Sequence, residues 1–440
     1  VSNRPLFIDL AFYAAAAVFA GATALWTTLE PHSQWGAVAF GGYLPAAICA
    51  GVLLTQTGTV WRGRALVAAG TAAAVTAIPL VFMAVDRASG VTGRAQEEVL
   101  VVESSGERLL DTGSPYLHAD AIAALAEPLL GYNPYQPGMA VFGLPAAVFG
   151  GHWWTDARIW FLLAAAACAA AAVNLLRRRP GELGAGKGPL LRAFQATFVF
   201  PVCALTFATG GDDMPVVALI VLALAFAHRD RPLAAGLAVG AAAALKLFAW
   251  PAAVVIGFLM YASHSSPEPR HGGLPRYLAG FALPVAVTML PVLAVDARGF
   301  FDNVIAFGLG RGVVASPAQS PLPGFLIANH VPGGELIAPG LLGLAALVIA
   351  GLLWTRPPAS AASAALWCAA GLSTAFLLMP STRFGYLLYP VVLLGWWLPL
   401  RDAIAGSAHG TLFAGVANEA VDELEHETGP GPSLAVEWWR

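Results

Sequence analysis

Long apolar runs dominate this chain from its first residues to about residue 400, separated by short polar joints. A run of roughly 20 apolar residues is long enough to cross a ~30 Å hydrocarbon layer as one α-helix. The pattern therefore predicts an all-α, polytopic membrane protein of about twelve spans. These fall at residues 6–27, 36–57, 64–85, 156–176, 189–208, 212–227, 232–247, 250–262, 276–294, 335–354, 359–379 and 385–400. Residues 138–150 are too short to cross and read as an interfacial or re-entrant helix. Residues 232–262 are too long for one upright helix. Pro251 follows Lys246 in their middle, and proline removes a backbone donor and clashes with the preceding turn, so two passes are expected.

Loop charge orients these spans, because Lys and Arg favour the cytoplasmic side. Arg62, Arg64, Arg177, Arg178, Arg179, Lys187, Arg229 and Arg231 fall on one face, followed by Arg270, Arg276, Arg356 and Arg401. That face reads as cytoplasmic, with both termini on it, in a multi-pass plasma-membrane protein. The extracytoplasmic face receives loop 86–155, the Gly210–Asp213 corner, the Lys246–Trp250 break, loop 295–334 and the segment Pro380–Arg383. Residues 1–400 are expected to form one membrane domain. Residues 401–440 read as a polar cytoplasmic tail, with Glu419, Asp422, Glu423, Glu425 and Glu427 clustered in it. The first apolar run has no small-residue cleavage site and reads as a retained helix.

Composition sharpens the class. The chain has 440 residues, 58% hydrophobic and only 11% charged, against roughly a quarter charged in soluble domains. A net charge of −3 argues against a nucleic-acid partner. Cys49, Cys168, Cys203 and Cys368 all lie inside apolar runs without paired spacing, and read as core residues. His118 and His330 are isolated and lack metal-ligand spacing, so no metal is assigned. Neither a phosphate-binding Gly-Lys-Ser/Thr loop nor a dinucleotide fingerprint is present.

The polar exceptions on the extracytoplasmic face carry the candidate chemistry. Glu97, Glu98 and Glu103 open its first loop, and a carboxylate partly buried at a membrane surface can act as a general base. Their plain structural reading is a hydrated loop. In Gly210-Gly211-Asp212-Asp213-Met214-Pro215 the glycines free the backbone where a helix begins, offering a pocket for sugar or phosphate. The structural alternative is an Asp N-cap with Pro in the first turn. Lys246 lies deep in an apolar run, a costly position that marks a functional residue or a lysine snorkelling to headgroups. Arg383 offers a bidentate fork to phosphate oxygens, or else anchors the interface with its neighbouring tyrosines. The Ser316–Gly324 loop is rigid and polar, suited to shaping an acceptor site or simply to connecting two helices.

The register Glu98, Val101, Ser105, Leu109-Leu110, Gly113, Pro115-Tyr116 resembles the first external loop of glycosyltransferase family 87. So does the following Tyr132-Asn133-Pro134-Tyr135-Gln136-Pro137 entry to a short apolar helix. The similarity runs over roughly residues 95–260 and again near 316–390. The family contains polyprenyl-phosphate-mannose-dependent mannosyltransferases with the GT-C membrane fold. Its catalytic acid falls on Glu98, with Glu in place of the usual Asp and Val102 in place of Tyr, so Glu97 and Glu103 stand as alternatives. A lysine ending an Ala/Gly-rich helix shortly before a proline, as Lys246 does, is also typical of the family.

The resemblance implies transfer of a sugar, mannose first, from a polyprenyl-phosphate donor to an envelope glycolipid or polysaccharide, with inversion. Glu98 would be the base, and Lys246 and Arg383 would hold the donor phosphate. Asp212, Asp213, Tyr116, Tyr132, Tyr135 and Tyr386 would contact sugar or acceptor. No cofactor beyond the lipid-linked donor is implied. The competing reading is a secondary transporter using Lys246 with Asp212 or Asp213 as coupling charges. Ionisable groups gathered at one face, rather than mid-bilayer, and the lack of a fixed-period repeat favour the enzyme.

Overall fold

The computed structural model describes residues 3–56, 60–178, 184–264, 273–307 and 311–404. It is helical throughout, with only two isolated β-bridges among the described residues. Among the described residues, eight helices are long and apolar enough to cross a bilayer, or up to nine if the bent pair Lys187–Phe198 and Pro201–Thr209 is one span. The all-α polytopic class is therefore the one the chain adopts. The expected count of twelve is not reached by length. Asp213–His228, Pro232–Leu245 and Ala249–Ala262 form where spans were expected but are shorter apolar helices. The polar tail expected at 401–440 lies outside the described residues from 405 onward.

Irregular backbone inside the bundle is satisfied by side chains, as a dry environment requires. The helix beginning at Trp61 widens into a π-turn at Ala73–Ala77, and the Trp35 indole donates to the Val75 carbonyl at 2.8 Å. Pro201 breaks the bent pair by 45°. The carbonyls this exposes are taken up by Thr76 Oγ1, which donates to Phe198 at 2.7 Å, and Tyr43, which donates to Val199 at 2.5 Å. Near the start of Arg4–Trp26, the buried Asp9 carboxylate accepts from Arg64 and Arg192, each at 2.5 Å. None of these three residues lines the cavity described below.

Loop 86–155 is more ordered than a loop reading implies. Residues Glu97–Thr112 form a helix of 16 residues that buries Val99, Val102, Ser105 and Gly106, an i, i+3, i+6, i+7 stripe. Gly113 ends it in the left-handed conformation at φ 77°. The helix lies on a 3₁₀ segment, Pro137–Gly143, that continues as Leu144–Phe149, the short helix expected near 138–150. Gly106 and Gly143 cross at this contact: a Cβ on Gly106 would lie 2.4 Å from the Gly143 carbonyl carbon. The break expected within 232–262 falls at Lys246–Phe248, where Pro232–Leu245 ends and Ala249–His264 begins. Pro251 sits in the first turn of the second helix, where its missing N–H costs nothing.

Candidate functional site

Three chain breaks meet above the bundle. The first is the start of Glu97–Thr112, held in place by Gln96. Its backbone N–H donates to the Thr209 carbonyl, and Thr209 Oγ1 donates back to Gln96 Oε1, both at 2.9 Å. The second is the Gly210-Gly211 corner. Gly211 has φ +91°, a conformation open to glycine, and a Cβ there would press on Phe161 at 2.9 Å. The third is Lys246, whose extended backbone, φ −154° and ψ 143°, ends Pro232–Leu245.

These breaks bring opposite charges together. Lys246 Nζ donates to Asp212 Oδ2 at 2.7 Å and to Asp213 Oδ1 at 2.5 Å. The Tyr389 hydroxyl donates to the same Asp213 oxygen at 2.7 Å. Three rings enclose the ammonium, with centroids 5.2 Å (Tyr135), 5.4 Å (Phe248) and 5.5 Å (Tyr386) away. Asp212 occupies the N-cap position of Asp213–His228 but makes no capping hydrogen bond; its carboxylate goes to Lys246 instead. Burial first, then Asp212 and Asp213, push the Tyr135 hydroxyl well above its usual pKa, leaving it a neutral donor.

Arg383 closes the opposite wall. Its Nη1 pairs with Glu98 Oε1, while Glu98 Oε2 is buried without a hydrogen-bond partner among the described residues. The segment carrying Arg383 is tied to the Ser316–Pro321 loop. Thr382 N–H donates to the Ala318 carbonyl, and Ser320 N–H to the Thr382 carbonyl, both at 2.9 Å. Between these walls lies a cavity of ≈ 1130 Å³.

Glu97, Glu98, Asp212, Asp213, Lys246 and Arg383 all line that cavity, and Tyr132, Tyr135 and Tyr386 line it with them. Two residues singled out in the sequence do not. Glu103 is held bidentately by Arg87, at 2.8 and 2.5 Å, and its Oε1 accepts the Ala157 N–H at 3.1 Å. Tyr116 is buried behind the cavity, donating to the Tyr135 carbonyl at 2.8 Å and packing on Phe300. His118 instead pairs with Asp296 at 3.1 Å. Sequence reasoning missed Gln96, Thr209 and His32. His32 lines the cavity, as does Gln96. Only its position in the joint between two apolar runs marked it out.

Comparison with known proteins supplies what geometry alone does not. No curated protein matches the chain. Crystal structures similar to it include ArnT from Cupriavidus metallidurans bound to undecaprenyl phosphate, at 18% identity, and the same protein in its apo state, at 17%. Each alignment covers 82% of this chain and 64% of the ArnT chain, with a TM-score of 0.45. The chain thus spans about 64% of the length of the structures it matches. The model of glycosyltransferase family 87 matches residues 133–382, over half the chain, and takes in Asp212, Asp213, Lys246 and the Ser316–Pro321 wall. On the strength of that match, this membrane protein belongs to glycosyltransferase family 87.

Proposed function

We propose that the cavity transfers a sugar, mannose first among the possibilities, from a polyprenyl-phosphate donor to a hydroxyl of an envelope glycolipid or polysaccharide at the extracytoplasmic face. The observation that carries this reading is the Glu98–Arg383 pair. Among the described residues it places a carboxylate oxygen without a hydrogen-bond partner beside a guanidinium that spends only Nη1 on the protein, in a cavity shared with Lys246 and its two aspartates.

The acceptor oxygen attacks the anomeric carbon as the bond to the phosphate oxygen breaks. Its proton passes to Glu98 Oε2, and the departing electron pair goes to the lipid phosphate. In-line displacement of this kind inverts the anomeric centre. Arg383 turns Nε and Nη2 to the phosphate, where charge-assisted donors act strongly in a site of low dielectric. Lys246 has one N–H left after Asp212 and Asp213, and it joins Arg383 at the phosphate. With two carboxylates on that ammonium, Arg383 supplies most of the balancing charge. Asp212 and Asp213 accept from sugar hydroxyls, with Tyr132, Tyr135 and Tyr386 packing on the ring. Glu97 is the alternative base on the same wall.

The test uses proteoliposomes holding the purified protein, with polyprenyl-phosphate [¹⁴C]mannose and an envelope glycolipid fraction. Transfer by wild type that disappears with Glu98→Gln supports the reading. Wild-type transfer by both Glu98→Gln and Glu97→Gln refutes the acid–base assignment.

A further inference from the structure

A second charged group, Arg87, Glu103, Asp156 and Arg158, does not line the cavity. Arg158, in the first turn of Ala157–Leu176, is fully buried. Its Nε and Nη2 donate to Asp156 Oδ1 and Oδ2 at 2.9 and 2.8 Å. Its Nη1 donates to two main-chain carbonyls, Arg94 at 2.6 Å and Ala208 at 2.8 Å. Arg87 adds a 3.0 Å bond to Asp156 and the fork to Glu103, so two cations balance two carboxylates.

Those two carbonyls are not arbitrary neighbours. Arg94 lies just ahead of Gln96 and Glu98, and Ala208 just ahead of Gly210, Asp212 and Asp213. From the joining of these two segments by one guanidinium, we infer that Arg158 is a positioning residue that sets the separation of Glu98 from Asp212 and Asp213 across the cavity. A counter-ion for Asp156 needs no carbonyl partners; a clamp does. The planar fork is suited to the task, because its donors point in fixed directions. A lysine presents one compact charge and cannot meet the Asp156 fork and both carbonyls together. The Gln96–Thr209 bonds continue the same seam toward the cavity.

The inference rests on the proposal that Glu98 and the two aspartates serve one substrate. Its test therefore reads the clamp without substrate as well as turnover. Hydrogen–deuterium exchange is followed in the full chain in nanodiscs, over peptides covering residues 94–99 and 208–213. Arg158→Lys is expected to raise exchange in both peptides about tenfold or more, with residues 361–378 unchanged. Donor kcat falls while donor KM moves by less than about twofold. The double variant Asp156→Asn/Arg158→Gln, which removes the charges as a balanced pair, restores neither.

Asp156→Asn alone keeps one acceptor on the fork and gives a smaller rise in the same peptides. It serves as the test where Arg158→Lys does not accumulate. Wild-type exchange in the single variants, or recovery in the double, overturns the clamp. Wild-type protein that transfers no sugar counts against the proposed reaction and leaves the exchange result standing.

Discussion

The Lys246 ammonium stands 2.5 Å from Asp213 and is at the same time the counter-ion of Asp212, so one cation holds two adjacent buried carboxylates. Removing it strands both charges. Breaking a buried pair by deleting one partner costs about 3–5 kcal/mol, because the other charge stays uncompensated. Lys246→Met is therefore expected to lower the thermal-unfolding midpoint of the detergent-solubilised protein markedly and to abolish transfer. Lys246→Arg keeps the charge and should hold the fold while slowing transfer. A Lys246→Met protein as stable as wild type would show that the two aspartates do not depend on this ammonium.

Glu98 and Arg383 form one ion pair and, in the proposed reaction, act on one substrate, so their substitutions should not add. Glu98→Gln is expected to lower kcat by about 10²-fold or more, the usual contribution of a placed general base. Arg383→Gln should chiefly raise donor KM. In the double variant the loss in kcat/KM should fall well short of the product of the two single losses, as for residues that share a partner. Steady-state kinetics on the four proteins measures this. Strict additivity would separate the two residues functionally.

Much of this site was legible as polar exceptions in an apolar chain. Lys246, Asp212, Asp213, Glu98 and Arg383 each stood out where charge is expensive, and loop charge placed them on one face. What the linear pattern hid was local in one case and long-range in another. The helix Glu97–Thr112 was masked by Val99-Leu100-Val101-Val102, a run whose continuity obscures the 3.6-residue stripe the fold uses. Asp156 and Arg158, which the structure places at the N-cap and in the first turn of Ala157–Leu176, went unremarked in the sequence. Their partners at Arg94, Ala208 and Arg87 are distant in the chain, and only the folded structure brings them close. Glu103 shows the converse: it stood as an alternative base in the same loop, yet Arg87 holds it in a structural ion pair.

Gly106 tests whether the cavity wall depends on close helix packing. A Cβ there would sit 2.4 Å from the Gly143 carbonyl carbon, and backbone cannot yield as a side chain does. Overpacking of this kind costs about 1–3 kcal/mol. Gly106→Val should lower thermal stability and also transfer, since the displaced helix carries Glu98. Gly351, inside Gly334–Thr355, has open space where a Cβ would go. Gly351→Ala should leave transfer unchanged and raise stability by up to about 1 kcal/mol through helix propensity. Equal effects from the two substitutions would mean that the Gly106–Gly143 contact carries no special constraint.

Acid should loosen the Asp156 cluster, and the direction follows from its surroundings. Burial alone would raise the Asp156 carboxyl, but hydrogen bonds and charge from Arg158, with Arg87 beside them, hold it below the usual carboxylate range. A folded pKa below the unfolded one means that the unfolded chain binds the proton more readily. The stabilisation is then present above the unfolded value, about 3.9 for aspartate, and is lost as pH falls through it toward the depressed folded value. Between about pH 5 and pH 3, the unfolding midpoint of wild type should therefore fall more steeply than that of Asp156→Asn, which has no proton to gain there. The two proteins should differ most at neutral pH and converge in acid. Parallel curves across that range would show that Asp156 titrates alike in the folded and unfolded chains, and that its arginine partners contribute no pH-dependent stability.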